Sequence, residues 1–318
     1  MRKTPYYSYS NGAVPEGCAL CVQGKKLVLF ITGLCPRSCY FCPISEKKFH
    51  KDVVYANERP ITDLQEILEE AKISGAEGCG ITGGDPLVCF ERTLAVICLL
   101  KATFTNFHIH LYTPLDLVTK EKIRALEEAG LDEIRFHLDL DTDTLWHKIK
   151  ISTMMKKGVE IPCVPGKDIA KVLTYVQPFV DFVNLNELEY ADAEQNKLAD
   201  MGFVSKNPYS YGIAGSEKLA LSMLKKFPDM RIHYCTVKLK DSVQLMNRIT
   251  RRAANVKKWH DVQQGPTLIR GAIYGNDPLE QMQENIPFLV TEIDRQKNRL
   301  LCARKDVRTF AKQIKTLG

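Results

Sequence analysis

The chain has no run of about 18 consecutive apolar residues, so no segment has the length of a bilayer-spanning helix. Its opening stretch, MRKTPYYSYSNG, lacks the apolar core of a secretory signal, and the expected location is the cytoplasm, away from membranes. No repeat at a period of about 20 to 50 residues and no low-complexity linker occurs, which excludes solenoids, propellers and tethered modules. With 45% hydrophobic and 26% charged residues over 318 positions, the chain can bury one large core and a small appendage.

Eleven cysteines in so long a chain without a secretion signal read as reduced thiols, some of them metal ligands, rather than as a disulfide framework. Five fall between residues 18 and 42; Cys79, Cys89, Cys98, Cys163 and Cys302 lie among apolar neighbours and read as packing. The net charge of +6 is uneven: residues 236–318 hold 16 Lys and Arg against 8 Asp and Glu, the rest 28 against 30. That excess suits RNA or an acidic protein as partner, and a solvated surface equally.

From residue 26 to 238, β-rich runs alternate with amphipathic stretches, the pattern of βα units around a parallel sheet. The expected strands are 26–34, 78–83, 106–113, 132–139, 159–165 and 181–188, with 231–238 as a seventh candidate. Thr62 with Gln65 is the expected cap of a helix ending at Gly75, and a second helix runs from Thr119 to Gly130. Beyond residue 238 come a basic helix over 240–256, strands over 267–275, 288–294 and 299–304, and a helix over 307–316. The expected class is α/β: an extension over 1–25 carrying a CxxC pair, a partial (β/α)6 barrel over 26–238 and a basic α+β region over 239–318.

Cys35, Cys39 and Cys42 follow an apolar strand on a CxxxCxxC loop, at the sheet edge where barrels place their chemistry. Three thiolates on a four-iron cube leave one iron open. Zinc held by Cys18, Cys21 and part of this loop is the competing reading. A second feature, Gly83-Gly84-Asp85-Pro86, ends the next strand, where missing side chains let backbone approach a ligand. On the fourth strand Arg135, His137 and Asp139 share one face, opposite Ile134, Phe136 and Leu138. His108, His110 and Tyr112 share a face of the third, and Asn184 and Asn186 one of the sixth, with Glu187 and Glu189 expected outside or in the following loop. Cys18, Cys21 and Cys235, with His233 as a fourth candidate ligand, form a possible auxiliary iron-sulfur or zinc site if the barrel brings its first and last strands together.

The CxxxCxxC loop after the first strand, followed by GGDP, resembles the radical SAM superfamily. The stretches GCALCVQGKKLVLFITGLCPRSCYFCP, NLNELEY and YCTVKLKDSVQ resemble an archaeal branch related to pyruvate formate-lyase activating enzymes. The resemblance implies a 4Fe-4S cluster on Cys35, Cys39 and Cys42 that cleaves S-adenosylmethionine (SAM) to a 5′-deoxyadenosyl radical, oxidoreductase chemistry, and a ferredoxin- or flavodoxin-type electron donor. It further implies SAM contacts from Phe41, Gly83, Gly84, Asp85 and Pro86, and from Arg135, His137, Asp139, Asn184 and Asn186. Three classes remain open: a radical enzyme acting on RNA or protein, a glycyl-radical-enzyme activase, and a non-enzymatic zinc or iron-sulfur module. The basic C-terminal region favours the first.

Overall fold

The computed structural model describes residues 1–316 and forms two compact units, Met1–Arg248 and a second beginning at Ile249. In chain order, the first unit contains β1 (Arg2–Lys3), β2 (Tyr9–Asn11), α1 (Glu16–Val22), β3 (Lys26–Phe30), β4 (Val54–Ala56), β5 (Arg59–Ile61), α2 (Gln65–Ser74) and β6 (Gly78–Thr82). There follow α3 (Phe90–Thr103), β7 (His108–Pro114), α4 (Lys120–Glu128), β8 (Glu133–His137), β9 (Lys156–Cys163), α5 (Ile169–Val176), β10 (Phe182–Glu187), α6 (Ser216–Lys226) and β11 (Ile232–Cys235).

Seven strands, β3 and β6 to β11, pair in parallel in sequence order, so the seventh candidate strand joins the sheet. The antiparallel hairpins β1–β2 and β4–β5 cover its two edges, on β11 and β3 respectively. Period-two alternation explains the layering. Leu27, Leu29, Ile81, Ile109, Ile134, Phe136, Val159, Ile161, Val183 and Leu185 are buried in one apolar core with residues of the helices. The opposite face carries Lys26, His108, His110, Glu133, Arg135 and Asn184, all buried as well.

That polar face is covered by α1, so part of the extension expected over residues 1–25 packs against the sheet. Gly17 packs so closely that a Cβ there would lie 2.6 Å from an Arg135 guanidinium nitrogen and nearer still to His110 Nδ1. Only glycine fits this position.

Two further expectations shift. Glu66, not Thr62 with Gln65, organises the start of α2, accepting from the Thr62 and Asp63 amides at 2.7 and 3.1 Å, while Asp63 accepts from Gln65 N. The boundary expected at 238/239 lies at 248/249, because Val237–Leu239 (α7), a π-helical turn over Lys240–Leu245 and α8 (Met246–Val256) follow without a break. The second unit has a hairpin of β12 (Val262–Gln264) and β13 (Thr267–Ile269), then β14 (Gly271–Ile273), α9 (Leu279–Glu284), β15 (Glu292–Asp294), β16 (Arg299–Cys302) and α10 (Arg304–Thr316). Its second sheet has the order β14-β16-β15 over a core of Ile273, Leu279, Met282, Ile286 and Leu300. The strand expected over 267–275 is thus two strands in different sheets.

Candidate active site

A cavity of about 680 Å³ opens at the C-terminal ends of the parallel strands. Cys35, Cys39 and Cys42 line it from the loop after β3, Gly83 and Gly84 from the turn after β6, His137 from β8 and Asn186 from β10. The glycine turn is tied to the cysteine loop through backbone: Gly84 N donates to Thr32 O and Asp85 N to Leu34 O, both at 2.8 Å. A Cβ on Gly83 or Gly84 would collide with those same carbonyls, and Gly83 has φ +149°. Two glycines therefore let the turn and the loop lie side by side.

All three thiols are free, and burial raises each above the ordinary thiol range, Cys39 to about 11. Arg37, between the first two, opposes the shift at both Cys35 and Cys39. Phe41 lines the cavity with its ring edge-on to Tyr40 at 4.9 Å and 5.8 Å from His137.

Several expected contacts fall elsewhere. Asp85 is fully buried and does not line the cavity: its Oδ1 accepts from Leu87 N at 3.0 Å and Thr113 Oγ1 at 2.8 Å, capping the 3₁₀ turn that Pro86 begins. Arg135 is enclosed beneath α1, 2.5 Å from Glu133 and 2.8 Å from Glu160. Asp139 accepts from the Asp141 and Thr142 amides and lies 3.9 Å from Arg37. Asn184 donates to Glu160 and to Cys18 Sγ, whereas Asn186 donates to Glu160 and also lines the cavity.

The auxiliary set forms no single-ion cage, although Cys235 lies close enough to Cys18 and Cys21 to feel the charge of both. Cys18 is buried with its sulfur accepting from Asn184, Cys21 lines the cavity, Cys235 lies 3.9 Å from Gln244 Nε2, and His233 pairs with Ser8 at 3.3 Å. Among the described residues, no three His, Cys, Asp or Glu side chains converge on a single-ion position. Zinc requires such convergence at about 2.3 Å from each sulfur, whereas a cubane takes each thiolate on a different iron and so needs them further apart.

Glu160 was not singled out by sequence reasoning, although an acid inside the apolar run VEIPCV marks it. Its carboxylate accepts from Arg135, Asn184 and Asn186 at 2.8, 2.8 and 3.0 Å. Burial raises its pKa, but Arg135 and the two amides outweigh this and hold it below the usual range. Glu187, the last residue of β10, and Glu189, in the following loop as expected, both line the cavity. Glu187 accepts from Val237 N and Lys206 Nζ, and Glu189 pairs with Lys240 at 2.6 Å.

Residues 29–158 match the model of the Radical SAM superfamily. A protein of Methanocaldococcus jannaschii named "Putative glycyl-radical enzyme activating enzyme" is 43% identical over 296 residues, covering 88% of this chain and 79% of that protein. The chain belongs to the radical SAM superfamily. A biotin synthase of Thioalkalivibrio sulfidiphilus is 28% identical over 123 residues, which is 37% of this chain and 34% of that enzyme. A solved structure of the radical SAM methyltransferase TsrM from Kitasatospora setae aligns with 79% of this chain and 56% of its own, at 12% identity and a TM-score of 0.40.

As a radical SAM enzyme, the protein calls for a 4Fe-4S cluster and SAM. The three free cavity thiols match the donor chemistry of such a cluster, and the cradle at Gly83 and Gly84 exposes backbone beside them. Among the described residues no helix is long and apolar enough to cross a membrane.

Proposed function

We propose that this enzyme is a glycyl-radical-enzyme activase: with a cluster on Cys35, Cys39 and Cys42, it generates a radical from SAM and removes a hydrogen from the backbone of a protein partner. The observation that carries the reading is three free thiols on one wall of the strand-end cavity, beside the two glycines and Phe41. The choice of a protein partner is supported by the 43% identity, over 88% of the chain, to a relative named as an activating enzyme.

A cluster held by Cys35, Cys39 and Cys42 and reduced by a ferredoxin- or flavodoxin-type donor would supply the one electron needed for reductive cleavage of SAM to a 5′-deoxyadenosyl radical. The chain's own part is positioning. Gly83 and Gly84 offer backbone carbonyls to the SAM amino group, Phe41 and His137 frame the adenosyl side, and Asn186, fixed by Glu160, offers an amide to the ribose or carboxylate. Asp85 acts indirectly, by fixing the turn.

The excess of 16 basic over 8 acidic residues in 236–318 favours RNA as the alternative substrate. Anaerobic reconstitution with iron and sulfide, followed by dithionite and SAM, should yield 5′-deoxyadenosine in the wild type and none in Cys39→Ala. A zinc-loaded wild type that forms none would refute the radical reading. A glycyl-type radical signal that appears only with added protein partner supports activation; stable copurification of RNA that is consumed on turnover supports the alternative.

A further inference from the structure

Arg37 lies between the first two cysteines yet turns away from solvent; its side chain is only 10% exposed. Its Nε donates to Asp116 Oδ2 at 2.7 Å, Nη1 donates to the His137 carbonyl at 3.2 Å, and Nη2 lies 3.9 Å from Asp139. Asp116 follows β7, and His137 ends β8 with Asp139 just beyond. One guanidinium therefore ties the cysteine loop to the exits of two neighbouring strands. The receiving end is itself secured, since Lys148 Nζ donates to the carbonyls of Leu115 and Asp116 at 2.9 Å each. The loop is held besides by the Thr32 and Leu34 carbonyls, which accept from Gly84 N and Asp85 N, and by Tyr40 O, which accepts from Lys197 N.

We infer that Arg37 is a positioning residue for the metal centre: it fixes the loop so that the three thiols face the cavity before iron arrives, and its charge offsets that of Asp116 and Asp139 beside the cluster. The inference rests on the cluster assignment made above. A planar, permanently charged fork suits this role, because it spans three oxygen acceptors at once and lysine cannot. The two consequences separate: the clamp governs how firmly iron is held, and the charge favours the more negative, reduced cluster.

The test uses the full-length reconstituted protein and compares wild type with Arg37→Gln, Arg37→Lys and Asp116→Asn. Iron loss to a chelator and the cluster midpoint potential, by EPR-monitored titration without SAM, are the readouts. Arg37→Gln should lose iron severalfold faster and move the potential to more negative values. Arg37→Lys should keep the potential near that of wild type while losing iron faster. Asp116→Asn, which leaves the arginine in place, should loosen iron without a negative shift, and it decides the clamp if Arg37→Gln does not fold. Wild-type iron retention and potential in Arg37→Gln would overturn the inference and leave the cluster assignment standing. A wild type that takes up zinc in place of a cluster would overturn both.

Discussion

Replacing Glu160 by glutamine removes one charge from the centre of the polar network while changing almost no volume. The carboxylate receives three donors on two oxygens, two of them, from Arg135 and Asn184, on Oε2. A glutamine can present only one acceptor oxygen, so at least one buried donor faces an amide NH₂ whichever way the group is flipped. Arg135, 1% exposed, keeps Glu133 at 2.5 Å but loses its second carboxylate. Removing one partner of a buried ion pair costs about 3–5 kcal/mol, which corresponds to a fall in Tm of roughly 6–20 °C for a unit of this size. Urea and thermal unfolding at pH 7 measure it. Glu69→Gln serves as control, because its 60% exposed carboxylate reaches Arg59 only at 3.5 Å and should contribute about 0.5 kcal/mol or less. Glu160 has its folded pKa below its unfolded value, so its contribution is complete above the unfolded pKa and vanishes as pH falls through the folded one. The variant's deficit should therefore shrink on acidification below about pH 4.5. An Arg135–Glu160 network of this kind is refuted by a Glu160→Gln protein within about 1 kcal/mol of wild type at pH 7.

Gly17→Ala should destabilise the first unit by about 1–3 kcal/mol, since the new methyl meets His110 and Arg135; denaturant midpoints check it. His108 has a pKa lowered to about 3, by burial first and then by Lys26, so the unfolded chain takes up a proton below pH 6.5 that the folded one refuses. Stability should fall by up to about 1.4 kcal/mol per pH unit between 6.5 and 3, and His108→Gln should flatten that slope in pH-dependent unfolding. Gly83→Ala, strained at φ +149° and blocked by Thr32 O, should lower iron loading after reconstitution more than it lowers Tm; equal loading would show that the turn does not support the cysteine loop.

The strands and the site's two motifs are legible because each is local. Arg135 and His137 against Ile134 and Phe136 is a period-two pattern that needs no partner to read, and three cysteines at short spacing carry their meaning on one loop. What escaped is set by distant packing. Nothing local says that α1 fills the barrel, so the strand pattern alone points Arg135 at the ligand, whereas α1 packs over it through Gly17. Asp85 has the chemistry of a ligand contact, but Thr113, 28 residues on, claims its oxygen. Glu160 matters only because three residues from two other strands reach it. Thr62 and Gln65 fit a capping pattern that Glu66 satisfies better once the chain turns.

The hairpin that closes the sheet edge gives assembly a direction. Tyr9–Asn11 pairs with Ile232–Cys235, Asn11 donates to the carbonyls of Leu224 and Phe227, and Arg231 donates to those of Ala13 and Val14. This edge of the sheet is thus closed by contacts between residues more than 200 positions apart in sequence. Contacts so far apart in sequence form late, after the local βα units have come together.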